Sequence, residues 1–537
     1  MKKFRHFGVM LDCSRNGVMK VSAVKQMIDC LHKMGYNTLE LYTEDTYEIK
    51  DEPYFGYLRG RYTKAEIKEI DAYAKSRGVE LIPCVQTLAH FTALVRHTEY
   101  ADIVDTNDIL LIDEPKTYEL IEKIFKTLAE NFTSRNVNIG MDEAHMVGLG
   151  RYLDKHGYKN RNELILRHLN KVSQIAEKYG FTAHMWSDMF FRLKTKGDYY
   201  VDEPILFPEE ITKKVPKNVE LTYWDYYHSA QKTYDAMFES HKCFKSNTWF
   251  AGGAWCWNGF APLNWYTLQS MEPAMRSVIK NEIKDVLITC WGDNGKECSF
   301  FSLLPALYAI RQYADGNFDK ASIEKGFYKT FKVPFADFML LDIPNKTARK
   351  MLDEAGHEKV QNPCKSLLYC DPFMGMFDKL VSQERAIPYV QYAQQLKKAG
   401  KKAGKFDYVF YTLSKLCYVL ELKAELGVRT RRAYQAKDKK ALLKLVKEYG
   451  EVAKRIGEFH AAFLNLWEKE NKPQGWEVHD LRLGGLIRRV ETCRDKLQKY
   501  VKGKLMKIEE LEEEILPYGD GTFQGNVHSF LVSMSIV

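Results

Sequence analysis

Eight short apolar runs, each followed by a loop and then a helix-forming stretch, occupy the first part of the chain. They fall at residues 6–11, 37–42, 79–85, 137–141, 182–186, 220–224, 248–255 and 286–291, and each carries β-branched or aromatic residues. Helical patterning predicts helices over 21–34, 64–77, 118–128 and 162–179, with a further one over 300–314 after the last run. Thr63 followed by Glu66 is a capping box that starts the second of these, and Gly78 and Gly180 are stop signals. Parallel strands need crossover helices, and eight strand–helix units is the number that closes a parallel barrel. The pattern therefore predicts an α/β fold, a (β/α)8 TIM barrel over residues 1–330, followed by a mainly α-helical C-terminal region over 331–537. An open eight-stranded sheet fits the same alternation less economically.

Polar and aromatic residues bunch just after the runs. Asp12 and Arg15 follow the first, Glu44 and Asp45 the second, Gln86 and His90 the third. Asp142, Glu143 and His145 follow the fourth; Trp186 and Asp188 stand at the fifth; Trp224, Asp225 and Tyr226 at the sixth. Trp255, Trp257 and Asn258 lie at the seventh, and Trp291, Asp293 and Asn294 at the eighth. The opposite ends carry nothing comparable. In a parallel barrel the downstream strand ends form the face on which ligands bind.

Composition removes several classes. The formal charge of +8 is spread along the chain, and its lysine-rich stretches are interspersed with glutamate and apolar residues. A nucleic-acid reader would need a focused basic face and a recognisable module, so no nucleic-acid partner is expected. No run approaches the roughly 20 apolar residues needed to span a bilayer, so no membrane partner is expected either. The eleven cysteines lack paired spacing, which fits free thiols in a reducing compartment and a cytoplasmic location. The stretch Gly56-Tyr57-Leu58-Arg59-Gly60 lacks the strand-to-helix setting of a phosphate loop. Towards the C-terminus, 386–425, 428–450, 451–470 and 481–502 read as long helices, 505–514 is acidic, and 519–537 is an apolar tail that could be strand.

The stretch Asn138-Ile139-Gly140-Met141-Asp142-Glu143-Ala144-His145 concentrates the chemistry. Cleaving a glycosidic bond needs an acid to protonate the leaving oxygen and a group to stabilise the sugar cation. Glu143 suits the acid, provided partial desolvation between aromatics raises its pKa. Asp142, as the adjacent residue, is badly placed to attack from the opposite face of the ring. It suits a different task, orienting the 2-acetamido group of a substrate whose carbonyl oxygen attacks C1 to give an oxazolinium ion. Trp186, Trp224, Trp255, Trp257 and Trp291 would wall the pocket, Asp293 or Glu44 could accept sugar hydroxyls, and His90 with Asp45 could form a dyad that tunes Glu143. No His-x-His or His-Glu-x-x-His arrangement joins His90 and His145, so neither a metal nor another cofactor is expected.

Asn138–His145 resembles the G-x-D-E-x-H signature of family 20 glycoside hydrolases, the β-N-acetylhexosaminidases. Val9-Met10-Leu11-Asp12-Cys13-Ser14-Arg15, Leu41-Tyr42-Thr43-Glu44-Asp45, His90 and Cys290-Trp291-Gly292-Asp293 resemble further stretches of that family, over about residues 6–310. The resemblance implies an exo-acting retaining enzyme on terminal 2-acetamido-2-deoxy-β-hexosides. Glu143 would be the general acid/base and Asp142 the acetamido-orienting residue. Trp224 would lie under the acetamido methyl beside Trp186, Trp291 would stack on the ring, and Asp293 would bind the 4- or 6-hydroxyl. The family's O3/O4-binding arginine falls here on Phe7, so Arg15 or another loop residue must substitute or O3/O4 recognition differs, and no tyrosine is evident on the seventh strand to bind the acetamido oxygen. The small domain that often precedes the barrel is expected to be missing, and the helical C-terminal region could serve a homodimer or complete the pocket of a neighbour. Two other readings stay open: a barrel glycosidase on plain hexosides with Asp188, Asp225 or Asp293 as nucleophile, and a non-catalytic sugar-binding barrel.

Overall fold

A computed structural model describes residues 4–257, 259–347, 362–379, 381 and 387–516. Asn258 and the apolar tail 519–537 lie outside the described residues. The chain forms two compact units whose segments alternate along the sequence. The first comprises Met1–Ala254, Thr267–Trp291 and Leu307–Asp319; the second comprises Trp255–Tyr266, Gly292–Ala306 and Lys320–Val537.

The first unit contains a closed barrel of eight parallel strands in sequential order. They are β1 His6–Asp12, β2 Thr38–Tyr42, β3 Glu80–Cys84, β4 Asn136–Asn138, β5 Thr182–Trp186, β6 Val219–Trp224, β7 Thr248–Gly253 and β8 Asp285–Cys290. The helix Val21–Met34 has the predicted bounds, and Lys64–Ser76 starts with the reciprocal Thr63–Glu66 capping box. Strand β4 is shorter than its apolar run because Gly140 and Met141 both take φ near +70°, which ends extended backbone directly before the acid pair.

Contrary to the expectation that the strand-start end carries nothing comparable, a polar stack fills it. The Trp249 indole lies between two imidazoles, 4.2 Å from His184 and 4.8 Å from His6, nearly parallel to both. His184 pairs with the fully buried Glu40 at 3.0 Å, and His6 bridges Asp285 at 2.7 Å and Glu80 at 3.3 Å. Burial alone would discharge the His6 ring, but the hydrogen bonds and charges of Asp285 and Glu80 prevail and push its pKa up to about 9. A pKa raised above the unfolded value of 6.5 stabilises the fold fully below pH 6.5, and that stabilisation fades as pH rises through 9. The difference in urea-unfolding free energy between wild type and His6→Gln is therefore expected to be about 3 kcal/mol at pH 6 and to shrink towards zero by about pH 10. A difference that stayed constant over this range would contradict the charged bridge.

The second unit is helical. Lys439–Glu470 is one helix rather than the two read from the sequence, because the apolar spacing continues across Gly450, whose nearest neighbour is the Arg494 guanidinium at 4.0 Å. Leu442, Tyr449, Ile456, Phe459, Phe463 and Trp467 form its buried stripe, which packs against the helix Trp476–Val501. The predicted 386–425 helix is two, Tyr389–Gly400 and Asp407–Lys423. From Trp476–Val501, His479 contacts the Gly295 carbonyl at 2.8 Å and Arg482 donates to that of Asn294 at 2.6 Å. Arg482 also pairs with buried Glu297 at 3.4 Å, and Lys365 does so at 2.6 Å. These bonds hold the loop that carries Asp293.

Candidate active site

The loop leaving β4 is built from unusual backbone. Gly140, Met141 and Glu143 lie at φ +70°, +70° and +50°, and His90 and Glu44, on the loops after β3 and β2, also have positive φ. Non-glycine residues held there cost about 1–3 kcal/mol each and need over-determined surroundings. Gln86 supplies much of that here. Its Oε1 accepts the Met141 N–H at 3.2 Å, and its Nε2 donates to Asp142 Oδ1 at 2.8 Å. The glycine is required for this approach, since a Cβ at Gly140 would stand 2.0 Å from Gln86 Oε1.

Asp142 is buried and doubly held. Its second oxygen accepts from His90 Nε2 at 3.1 Å. Burial works against the Asp142 charge, but the His90 charge and the bonds from His90 and Gln86 outweigh it and hold the carboxyl below its ordinary value. Burial likewise works against the His90 ring, yet Asp142 raises its pKa to about 9. Near neutrality the site thus holds a carboxylate and an imidazolium. Glu143 is more open: its side chain is 45% exposed, with Oε2 3.9 Å from the same His90 Nε2. In the free protein it is not desolvated between aromatics.

The expected His90–Asp45 dyad does not form. His90 is drawn to the buried Asp142, while Asp45 pairs with Arg59 at 3.0 Å. Glu44 accepts from the Tyr42 hydroxyl at 3.1 Å and lies 3.7 Å from Arg15 and 3.9 Å from Arg59. Arg15 reaches Asp12 at 3.3 Å, with its guanidinium 4.8 Å from the Trp291 ring and 4.9 Å from that of Tyr42. Arg15 therefore stands at the strand ends among the acids. Phe7, by contrast, packs on Phe4 and Tyr36, under the Arg311 guanidinium.

Trp186 and Trp291 are 6.3 Å apart, and Trp224 is stacked with Tyr226 at 5.3 Å. Tyr226 hydrogen-bonds Trp291 and Thr289, which joins the two aromatic groups into one wall. Trp255 and Trp257 stack on each other at 3.8 Å within the second unit, where Asp293 is partly exposed. Asp225 is fully buried, accepting from the Tyr223 hydroxyl at 2.6 Å and bonded to His228 Nδ1 at 2.8 Å. Asp188 is also fully buried, under Glu143. Neither exposes an oxygen to a sugar, which removes both as nucleophiles. One ligand atom each from His90, Asp142 and Glu143 lie within 4.8 Å of one another, but a cation there would have to displace the proton of an imidazolium bound to its counter-ion.

The sequence shows Gln86 and Tyr226 after their strands without a task, and nothing in it marks Tyr42 or Arg59 as a partner of Glu44 and Asp45. The glycine before the acid pair was the one signal for Gln86, since it marks a close approach from a neighbouring strand end.

A closed parallel barrel with an acid pair, a charged histidine and an aromatic wall at its downstream strand ends defines an enzyme barrel. Residues 4–277 match the family model "Glycosyl hydrolase family 20, catalytic domain", and residues 336–529 match "Glycoside Hydrolase 20C C-terminal domain". The chain belongs to glycoside hydrolase family 20. Among curated proteins it is similar to the beta-hexosaminidase of Vibrio furnissii, 28% identical over 178 residues, 26% of this chain and 29% of that protein. It is also similar to hexosaminidase D of Homo sapiens, 27% identical over 224 residues, 38% of this chain and 42% of that protein. The chain thus spans less than half the length of these two curated relatives. Among solved structures, the exo-β-N-acetylglucosaminidase of Vibrio harveyi in complex with N-acetylglucosamine aligns with TM-score 0.48 and 18% identity, over 63% of this chain and 58% of that one.

Proposed function

We propose that the chain is an exo-acting retaining β-N-acetylhexosaminidase that removes terminal β-linked GlcNAc or GalNAc with assistance from the substrate's own acetamido group. The observation that carries this reading is the pairing of a buried, doubly hydrogen-bonded Asp142 with an exposed Glu143 on the next residue. Glu143 donates its proton to the glycosidic oxygen as the C1–O bond breaks. The acetamido carbonyl oxygen forms the new bond to C1, and the positive charge spreads over the oxazolinium ring. Asp142 accepts the acetamido N–H and stabilises that charge, which grows only along the reaction. Glu143, now a carboxylate, takes a proton from water as it opens the ring, so the anomeric configuration is retained.

Trp224 and Trp186 form the floor for the acetamido methyl, Trp291 stacks on the sugar, and Arg15 with Glu44 binds its outer hydroxyls. Tyr226, stacked on Trp224, is the tyrosine that the wall offers to the acetamido oxygen. The eleven free cysteines support a cytoplasmic enzyme, and among the described residues no helix is long and apolar enough to cross a membrane.

Nitrophenyl 2-acetamido-β-glucoside is expected to be cleaved at least about 10³-fold faster, in kcat/KM, than nitrophenyl β-glucoside, because only the first carries its own nucleophile. A thiazoline mimic of the cyclic intermediate should inhibit at concentrations far below KM. Comparable rates on both substrates, or a trapped glycosyl–enzyme ester, would overturn the reading in favour of an ordinary nucleophile.

A further inference from the structure

Asp188 is the first residue of the helix Asp188–Thr195, directly beyond β5. Its side chain is fully buried and takes no part in the chemistry just described. One oxygen, Oδ2, accepts the backbone N–H of Glu143 at 3.1 Å and the Arg192 Nε–H at 3.3 Å. The other, Oδ1, is buried with no hydrogen-bond partner among the described residues. A carboxylate oxygen sealed from water without a donor is costly; a carboxylic acid carrying its proton there is far less so. The residue so gripped is Glu143, whose φ of +50° needs an external hold.

We propose that Asp188 is a positioning residue for Glu143, fastening its amide through one oxygen and governing, through the charge on the other, how readily Glu143 parts with its proton. This rests on Glu143 being the acid/base. The charged and titratable groups facing Asp188 are Asp142 and Glu143 from the loop after β4, Arg192 one turn along its own helix, and the phenol of Tyr199. Burial first, then the Asp142 charge, raises the Asp188 pKa to about 7, against the smaller pull of Arg192. The Glu143 charge also pushes the Asp188 pKa up, so the two ionisations oppose each other. A charged Asp188 works against the negative form of Glu143, and a neutral residue in its place removes that opposition. In the acid range Asp188 is neutral and acts only as a clasp.

The test uses two variants of the full chain on a nitrophenyl 2-acetamido-β-glucoside over the whole pH range. Asp188→Asn keeps an acceptor for the Glu143 amide but can never become charged. It should stay within about threefold of wild type at acidic pH, and its alkaline limb should move down by about 0.5 to 1 pH unit. Asp188→Ala loses the clasp and should lose about 10- to 100-fold in kcat at every pH, with KM moving much less. A merely structural role would lower the melting temperature of both variants and leave the shape of the pH profile alone; that result overturns the proposal. So does an Asp188→Ala enzyme with wild-type kcat. Glu143→Ala is run alongside: if it keeps wild-type activity, the parent assignment fails, whereas an inactive Glu143→Ala with unaltered Asp188 variants sinks only the role of Asp188.

Discussion

Glu143→Gln is expected to lower kcat/KM on a chitobiose-like substrate by about 10³- to 10⁴-fold, while the loss on a dinitrophenyl 2-acetamido-β-glucoside should be about tenfold or less. The difference follows from what the proton does. An alkoxide leaving from a second sugar is a poor leaving group and depends on protonation as the bond breaks. A dinitrophenolate leaves unaided, so removing the acid has little effect on bond cleavage. What it removes is the base for the water that opens the oxazolinium ring. The dinitrophenyl substrate should therefore show a burst of phenol followed by a slower steady rate, as the second step becomes limiting. The variant should fold normally, because Glu143 is largely solvent-facing and its backbone bond to Asp188 survives the change. Equal losses on both substrates would assign Glu143 a binding role instead.

The parts of this molecule that could be read from its sequence are those governed by local periodicity. The helix Val21–Met34 could be read because its apolar positions recur at helical spacing up to Gly35, and Lys64–Ser76 because the capping box is a local device. Eight strand ends could be counted because each apolar run is short and bounded. The end of β4 was misplaced because Ile139 and Met141 look like strand residues, while the left-handed backbone at 140 and 141 is imposed by Gln86 from across the barrel. The same limit applies to the site. The acid pair was visible because adjacency in sequence already restricts its chemistry. The partner of His90 was not, because Asp45 and Asp142 both end up at the barrel mouth and the choice between them depends on which loop brings a competing cation. Arg59 lies fourteen residues beyond Asp45 and returns to claim it. Asp188 looked like a candidate nucleophile in sequence, and only its burial under Glu143 shows otherwise.

Asp142→Ala is expected to reduce kcat by about 10²- to 10³-fold, the size of effect seen when one preorganised electrostatic partner is taken from a developing charge. The loss should fall on kcat more than on KM, since Asp142 meets a full positive charge only after the acetamido oxygen has begun to bond to C1. Its neighbours also make the acid limb of the pH profile predictable. Asp142 must be ionised to work, and it is held below its ordinary value of 3.8 by His90 and Gln86 despite burial. Wild-type activity should therefore persist to below pH 4 on the acid side, as far as stability permits. In His90→Gln the opposing terms no longer balance that way: the positive charge is gone, burial remains, and the Asp142 pKa must rise. The acid limb of kcat/KM should then move up by one pH unit or more. Loss of the imidazolium also leaves a buried carboxylate with one donor fewer, so His90→Gln should melt earlier near pH 7 than near pH 4, where Asp142 can take up a proton. An acid limb that stayed in place would mean that the His90–Asp142 pair does not control the ionisation of the group that meets the oxazolinium charge.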